Sequence, residues 1–301
     1  MWTPKSNTQM RFEDQLRVVC INVDVNENET FQGSFVHKAN AKVSKLKKGQ
    51  IDLLVLPEMA FNPCSSNSTV ERLISHTSVF QNGFGDCGIQ NWAVSVAIEL
   101  ETHVLFGIPE QDQNETIYST IILATPSGSL VRVNTKVLSI MRPNVVQNPS
   151  YCWVEIVPPR LQKVVRIVPW VHSMEFDCKT STLVKETTSQ REMREVCKYA
   201  EKEQAHMVIC CSTVERINNA DNEEACKEIS RTELYRYWVQ RCYPLYSYSA
   251  GLIVCAKEVS AGSQLSGLLS GFQFSGPLRL LGYSDNHNQE LGVSAMGIEV
   301  Y

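Results

Sequence analysis

Short apolar runs alternate with amphipathic stretches along most of this chain. Arg17-Val-Val-Cys-Ile-Asn-Val23 is apolar and β-rich, and predicts a first strand. Between 31 and 48 the apolar positions 35, 36, 39, 43 and 46 keep helical spacing, with lysines on the other face. Ile51-Asp-Leu-Leu-Val-Leu56 predicts a fully buried strand that stops at Pro57. Positions 89, 92, 93, 96, 97 and 100 predict a helix over 89–100, with Asp86 placed to cap it. Strands follow at 103–108, 117–125 and 129–134, the last two joined into a hairpin by Pro126-Ser-Gly128. A strand over 164–168 is expected to break at Pro169. Beyond it come an amphipathic helix at 191–203, a buried strand at 206–211 and a long helix at 225–243. Closing strands are expected at 252–255, 277–282 and 297–301, with a Gly- and Ser-rich loop over 260–275.

Residues 1–15 are polar and expected to fray. No break in composition divides 16–301, so a single domain is expected. Its strand–helix–strand rhythm with an embedded hairpin predicts an α/β sandwich, mixed sheets inside and helices outside.

Composition narrows the class of function. The apolar fraction of 43% and charged fraction of 20% are those of a globular protein. A net charge of −4 gives no basic footprint for nucleic acid. No apolar run approaches the ~18 residues that a bilayer span needs, so no membrane partner is expected. The first residues have no apolar core of a signal peptide. The eleven cysteines are odd in number and scattered, with no C-x-x-C and no Cys/His zinc spacing. They are expected to be small core residues in a reducing compartment, which points to the cytoplasm.

Glu58 follows the strand at 51–56 directly, and chemistry in α/β proteins collects at the carboxyl ends of buried strands. Leu53-Leu-Val-Leu-Pro-Glu58 resembles the catalytic-glutamate strand of the nitrilase, or carbon–nitrogen hydrolase, superfamily. Phe106-Gly-Ile-Pro-Glu110, Tyr118-Ser-Thr and Pro126-Ser-Gly-Ser-Leu-Val131 resemble its central hairpin block, and Asn134-Thr-Lys-Val-Leu138 its catalytic-lysine motif. The stretches come in the family's order, and the similarity runs diffusely from about Arg17 to Tyr301. Met174-Glu-Phe-Asp177 is weakly similar to a segment of the N-terminal amidase branch, whose members deamidate N-terminal Asn or Gln of proteins.

The resemblance implies a four-layer α-β-β-α fold, a homodimer, and thiol-based amide hydrolysis without metal or organic cofactor. A Cys attacks the amide carbon, a Glu carries the proton, and a Lys stabilises the oxyanion. Carried onto this chain, Glu58 is the general base and Lys136 the stabiliser; a solvated lysine at a hairpin end is the plain alternative for Lys136. Glu110 is either an orienting group or a surface carboxylate. Where the family's Cys is expected, this chain has Val168, Pro169 or Trp170, and a bulky Trp there would fill the acyl pocket. His172 falls near the family's Asp. The candidate thiol is Cys178, with Lys179 beside it to lower its pKa; Cys210 and Cys211 suit core packing. Pro63-Cys64 stands where the family often has Gly-Tyr, and Ala256-Lys-Glu-Val-Ser260 replaces a second family signature. Two readings follow. One is an amidohydrolase with Glu58, Lys136 and Cys178, acting on a small amide or a protein N-terminus. The other is an inactive nitrilase-fold protein that binds a ligand or partner.

Overall fold

The computed structural model describes residues 15–21, 34–58, 60, 78–79, 88–111, 117–137, 151–177, 179–180, 182–184, 187–217, 237–238, 240–242, 244–245, 250–259, 268–269 and 293–299. The expectations for 1–14, for Cys64, Cys178 and the strand at 277–282, and for most of the helix at 225–243, fall outside these residues.

Two mixed sheets form the centre. The first contains β1 (Gln15–Ile21), β2 (Leu53–Val55), β3 (Ser78–Val79), β4 (His103–Gln111), β5 (Ile117–Ala124), β6 (Leu130–Val137) and β13 (Val293–Glu299). Its order is β13-β1-β2-β4-β5-β6, with β3 against β4. The second contains β7 (Val154–Ile156), β8 (Val165–Asp177), β9 (Thr182–Leu183), β10 (Met207–Ile217), β11 (Gly251–Val259) and β12 (Leu268–Leu269). Its order is β12-β11-β10-β8-β7, with β9 against β8. Three helices are described: α1 (Ser34–Val43), α2 (Gly88–Leu100) and α3 (Thr187–Lys202).

The pleat distributes side chains to three cores. Val18, Cys20, Leu53, Val55, Leu105, Ile121 and Leu123 meet Val165, Ile167, Val171, Ile209, Cys211 and Ile253 between the sheets. The alternate residues Val19, Ile21, Leu54, Phe106 and Ile122 pack on α1 and α2, against Ala39, Trp92 and Val96. On the second sheet Val168, Trp170, Val208 and Cys210 pack on Met193, Val196 and Cys197 of α3 and on Trp238. Helix, sheet, sheet and helix are thus stacked as the four-layer α-β-β-α sandwich. Strands covered on both faces read as unbroken apolar runs, which is why 51–56 and 206–211 stand out in the sequence.

One detail corrects the sequence reading, and a second adds to it. β8 does not break at Pro169 but runs on to Asp177. The carbonyl of Arg166 faces β10, where it accepts from His206 N, so the odd-numbered backbone groups of β8 face the other edge. Pairing with β7 has ended there by Ile167, so proline's missing N–H removes no ladder bond. The free Pro169 carbonyl accepts from Asn134 Nδ2 at 3.1 Å, across the sandwich. The second detail is the β5–β6 hairpin. Gly128 turns it at φ +84°, and an added Cβ would meet Ile98 Cδ1 of α2 at 3.2 Å. Further along, the register shifts at a bulge between Ile121 and Ile122: Ile122 pairs with Arg132, and Ile121 with Asn134.

Candidate active site

The strand β2 ends in Leu56 and Pro57, and Glu58 follows with only 2% of its surface exposed. Its Oε2 accepts a hydrogen bond from Thr213 Oγ1 of β10 at 3.0 Å. The carboxylate therefore sits between the sheets at the carboxyl ends of parallel strands, as the sequence led one to expect. Thr213 continues the inter-sheet face of β10 carried by Met207, Ile209 and Cys211. Its cross-strand neighbour on β8 is Ser173.

Lys136 lies in β6, paired with Ser119 of β5. Ile121 and Leu123 point between the sheets, so two residues back Ser119 holds the same face, and the paired position 136 shares it. Asn134, two residues before, already reaches Pro169 on the opposite sheet. The hydroxyl of Ser119 is buried with no hydrogen-bond partner among the described residues. The backbone thus brings Glu58 and position 136 to one inter-sheet space, from two strands of the first sheet.

The other predicted residues are placed differently. Cys178 is outside the described residues, while its neighbour Asp177 ends β8 opposite Ile217. Asp177 is four residues past Ser173, or about 13 Å along the strand from the level of Thr213 and Glu58. Trp170 does not fill the inter-sheet space. It faces α3, where its Nε1 donates to Glu192 Oε1 at 3.2 Å. His172 shares that outer face, with Nε2 2.8 Å from the Tyr237 hydroxyl and its ring edge-on to Trp238. A strand that continues through Pro169 sends even-numbered residues outward, so neither Trp170 nor His172 belongs to the site. The inward positions of β8 as far as Val171 are Val165, Ile167 and Val171, with Pro169 between them, and the alternation continues to position 173. Glu110 is no surface carboxylate. It is 1% exposed and held by Arg132, with Nε–Oε1 at 3.1 Å and Nη2–Oε1 at 3.0 Å. Its alternation with Phe106 and Ile108 puts this pair on the helix side of the first sheet, away from position 136.

Three thiols, of Cys20, Cys211 and Cys255, also point between the sheets. Burial, then the neighbouring Cys20, then the charge of Glu58 push the Cys211 thiol up, so it stays protonated and inert. Cys255 is pushed up too, by burial and by its contact with Cys20. Among the described residues no group of three or more His, Cys, Asp or Glu side chains could hold a metal ion. No described helix is long and apolar enough to cross a membrane.

Thr213 and Asp52 were missed in the sequence. The strand that carries Thr213 reads as ending at Cys211, because the polar Ser212 and Thr213 close the apolar run. Asp52 reads as an interruption of a strand. It is fully buried, accepts from Arg17 N at 2.8 Å and pairs with Arg160 Nη2 at 2.6 Å, 108 residues away in sequence.

The arrangement of the sheets decides the fold. The chain has the nitrilase-superfamily fold. Nit3 of Saccharomyces cerevisiae, a member of branch 10 of that superfamily, superposes with a TM-score of 0.56 at 13% identity, covering 87% of this chain and 83% of its own. A carbon–nitrogen hydrolase from Helicobacter pylori G27 gives 0.54 at 11% identity, over 88% and 83% of the two chains. XC1258 of Xanthomonas campestris, a CN-hydrolase superfamily protein with an arsenic adduct in its active site, gives 0.53 at 13% identity, over 94% and 90%. No family model matches the sequence, and no curated protein matches it. At such identities it is the nitrilase-type architecture that is shared, and the function must be argued from the site.

Proposed function

We propose that this nitrilase-fold protein hydrolyses a carbon–nitrogen bond of an amide by acyl transfer, with Glu58 as general base and Lys136 as oxyanion stabiliser. The observation that carries this reading is Glu58: a carboxylate 2% exposed, at the end of a buried strand, hydrogen-bonded across the sandwich to a hydroxyl. Burying an ionised carboxylate costs several kcal/mol, and a position that only closed a loop would not need one. Position 136, on another strand of the same sheet, suits a cation that meets the developing negative charge. The sequence resemblance supplies Cys178 as the attacking thiol. Asp177 beside it stands about 13 Å past the level of Glu58, so the geometry supports the base more strongly than the thiol.

The substrate class is a carboxamide, and the side-chain amide of an N-terminal Asn or Gln is the specific form that the stretch 174–177 suggests. Within that stretch Met174 and Phe176 pack into the outer core, so their part of the likeness is also met by strand packing. The test is ammonia release from a panel of amides that includes Asn- and Gln-initiated peptides, with Glu58→Gln as the control. Turnover that falls by about 10²–10⁴ in the variant supports the reading. Turnover indifferent to Glu58→Gln defeats it.

A second reading is that the chain binds an amide-like ligand or a protein without turning it over. It is favoured by Val165, Ile167, Pro169 and Val171 of β8, which stand around where the family's thiol is expected and none of which can attack a carbonyl. Robust hydrolysis of any amide in the panel would exclude it.

A further inference from the structure

Cys211 is sealed in the inter-sheet core and kept protonated, and Cys210 faces the outer helix layer. β8 offers Val165, Ile167, Pro169 and Val171, and then position 173, opposite Thr213. Across the sandwich, the hydroxyl of Thr213 donates to Glu58 Oε2 at 3.0 Å. A nucleophile and a base within hydrogen-bond reach are the geometric signature of covalent catalysis.

We propose that Thr213 is the nucleophile of this site, activated by Glu58 and forming an ester with the acyl part of an amide. The proposal rests on the reading of Glu58 as base given above. Three features support it. Thr213 is half-buried while Glu58 is buried, so of the two residues Thr213 is the more exposed. It sits in β10, which is paired along its length with β8 on one side and β11 on the other, so its backbone is fixed. Position 136 lies on the facing sheet surface, where a tetrahedral oxyanion would meet it.

The chemistry balances with water alone. Thr213 Oγ1 bonds to the carbonyl carbon as its proton passes to Glu58, and the π electrons move to the carbonyl oxygen. Collapse breaks the C–N bond, and the nitrogen leaves as ammonia or an amine with the proton from Glu58. Glu58 then takes a proton from water, whose oxygen adds to the ester carbon. Collapse breaks the bond to Oγ1, which recovers its proton, and the carboxylic acid departs.

The test uses the full chain and p-nitrophenyl acetate, with the nitrophenolate burst followed by intact mass and peptide mapping. One acetyl group on Thr213 is expected, absent in Thr213→Val and retained in Thr213→Ser within about tenfold in rate. Glu58→Gln is expected to slow the burst by about 10²–10⁴. Circular dichroism of each variant guards against misfolding, and mapping on the unaltered chain stands without any variant. Acetylation of a cysteine or of Ser173 overturns the proposal. So does an acetyl on Thr213 whose rate ignores Glu58→Gln. Ammonia release that depends on Glu58 but survives Thr213→Val removes Thr213 and leaves the base in place. No acylation and no amide turnover removes both.

Discussion

Asp52 and Glu58 flank the same buried strand, and both carboxylates tie one sheet to the other. At the amino end Asp52 is fully buried and matched by charge: Arg160 grips both oxygens, Nε–Oδ1 at 3.1 Å and Nη2–Oδ2 at 2.6 Å, and Arg17 N adds a third bond. At the carboxyl end a bond across the sandwich to Glu58 comes from a hydroxyl, Thr213. A guanidinium fixes a carboxylate in its ionised form and leaves it little to do but hold. A hydroxyl satisfies the carboxylate and still leaves it able to take a proton. On the proposed reading one end of β2 is a staple and the other a base, and the two roles are separable by mutation.

The largest effect is expected from Arg160→Ala, which leaves Asp52 buried without its cation. A loss of about 3 kcal/mol is predicted, read from urea unfolding. Next is the acid side of the same end. Burial holds the His103 imidazole at about 4, below its usual 6.5, against the weaker pull of Asp52. The unfolded chain takes up a proton below 6.5 that the folded one refuses until about 4. Stability is therefore complete above 6.5 and falls as the pH drops towards 4, by on the order of 3 kcal/mol. His103→Gln should flatten that slope, and an unchanged slope would place the titration elsewhere. Asn134→Ala removes the donor to the Pro169 carbonyl and is expected to cost about 1–2 kcal/mol. The smallest change is predicted for Glu58→Gln, within about 1 kcal/mol, because the amide oxygen still accepts from Thr213. If Glu58→Gln destabilised the chain as much as Arg160→Ala does, both carboxylates would be staples and the contrast would fail.

The layers were legible because each central strand is covered on both faces and leaves an apolar run. Glu58 was legible because it stands where such a run stops. Trp170 and His172 were misplaced for one reason: Pro169 reads as the end of a strand, when its missing donor falls on an edge that has already lost its partner. Granting β8 its full length, simple alternation sends both outward. Thr213 left a weaker trace, since a polar residue at a strand end looks like a loop. The Asp52–Arg160 pair left none, because 108 residues separate partners that only the closed sandwich brings together.

The bulge in the β5–β6 hairpin has an evolutionary consequence. Along its turn side Ile122 pairs with Arg132, and beyond the extra residue Val133 the pairing becomes Ile121 with Asn134 and Ser119 with Lys136. Had the turn-side register run on without this shift, position 136 would pair with Tyr118, on the other face of the sheet. Loss of Val133 would remove the bulge and keep Ile121 opposite Asn134 and Ser119 opposite position 136. The extra residue thus marks a place where β6 can shorten by one codon with position 136 held on the same face of the sheet.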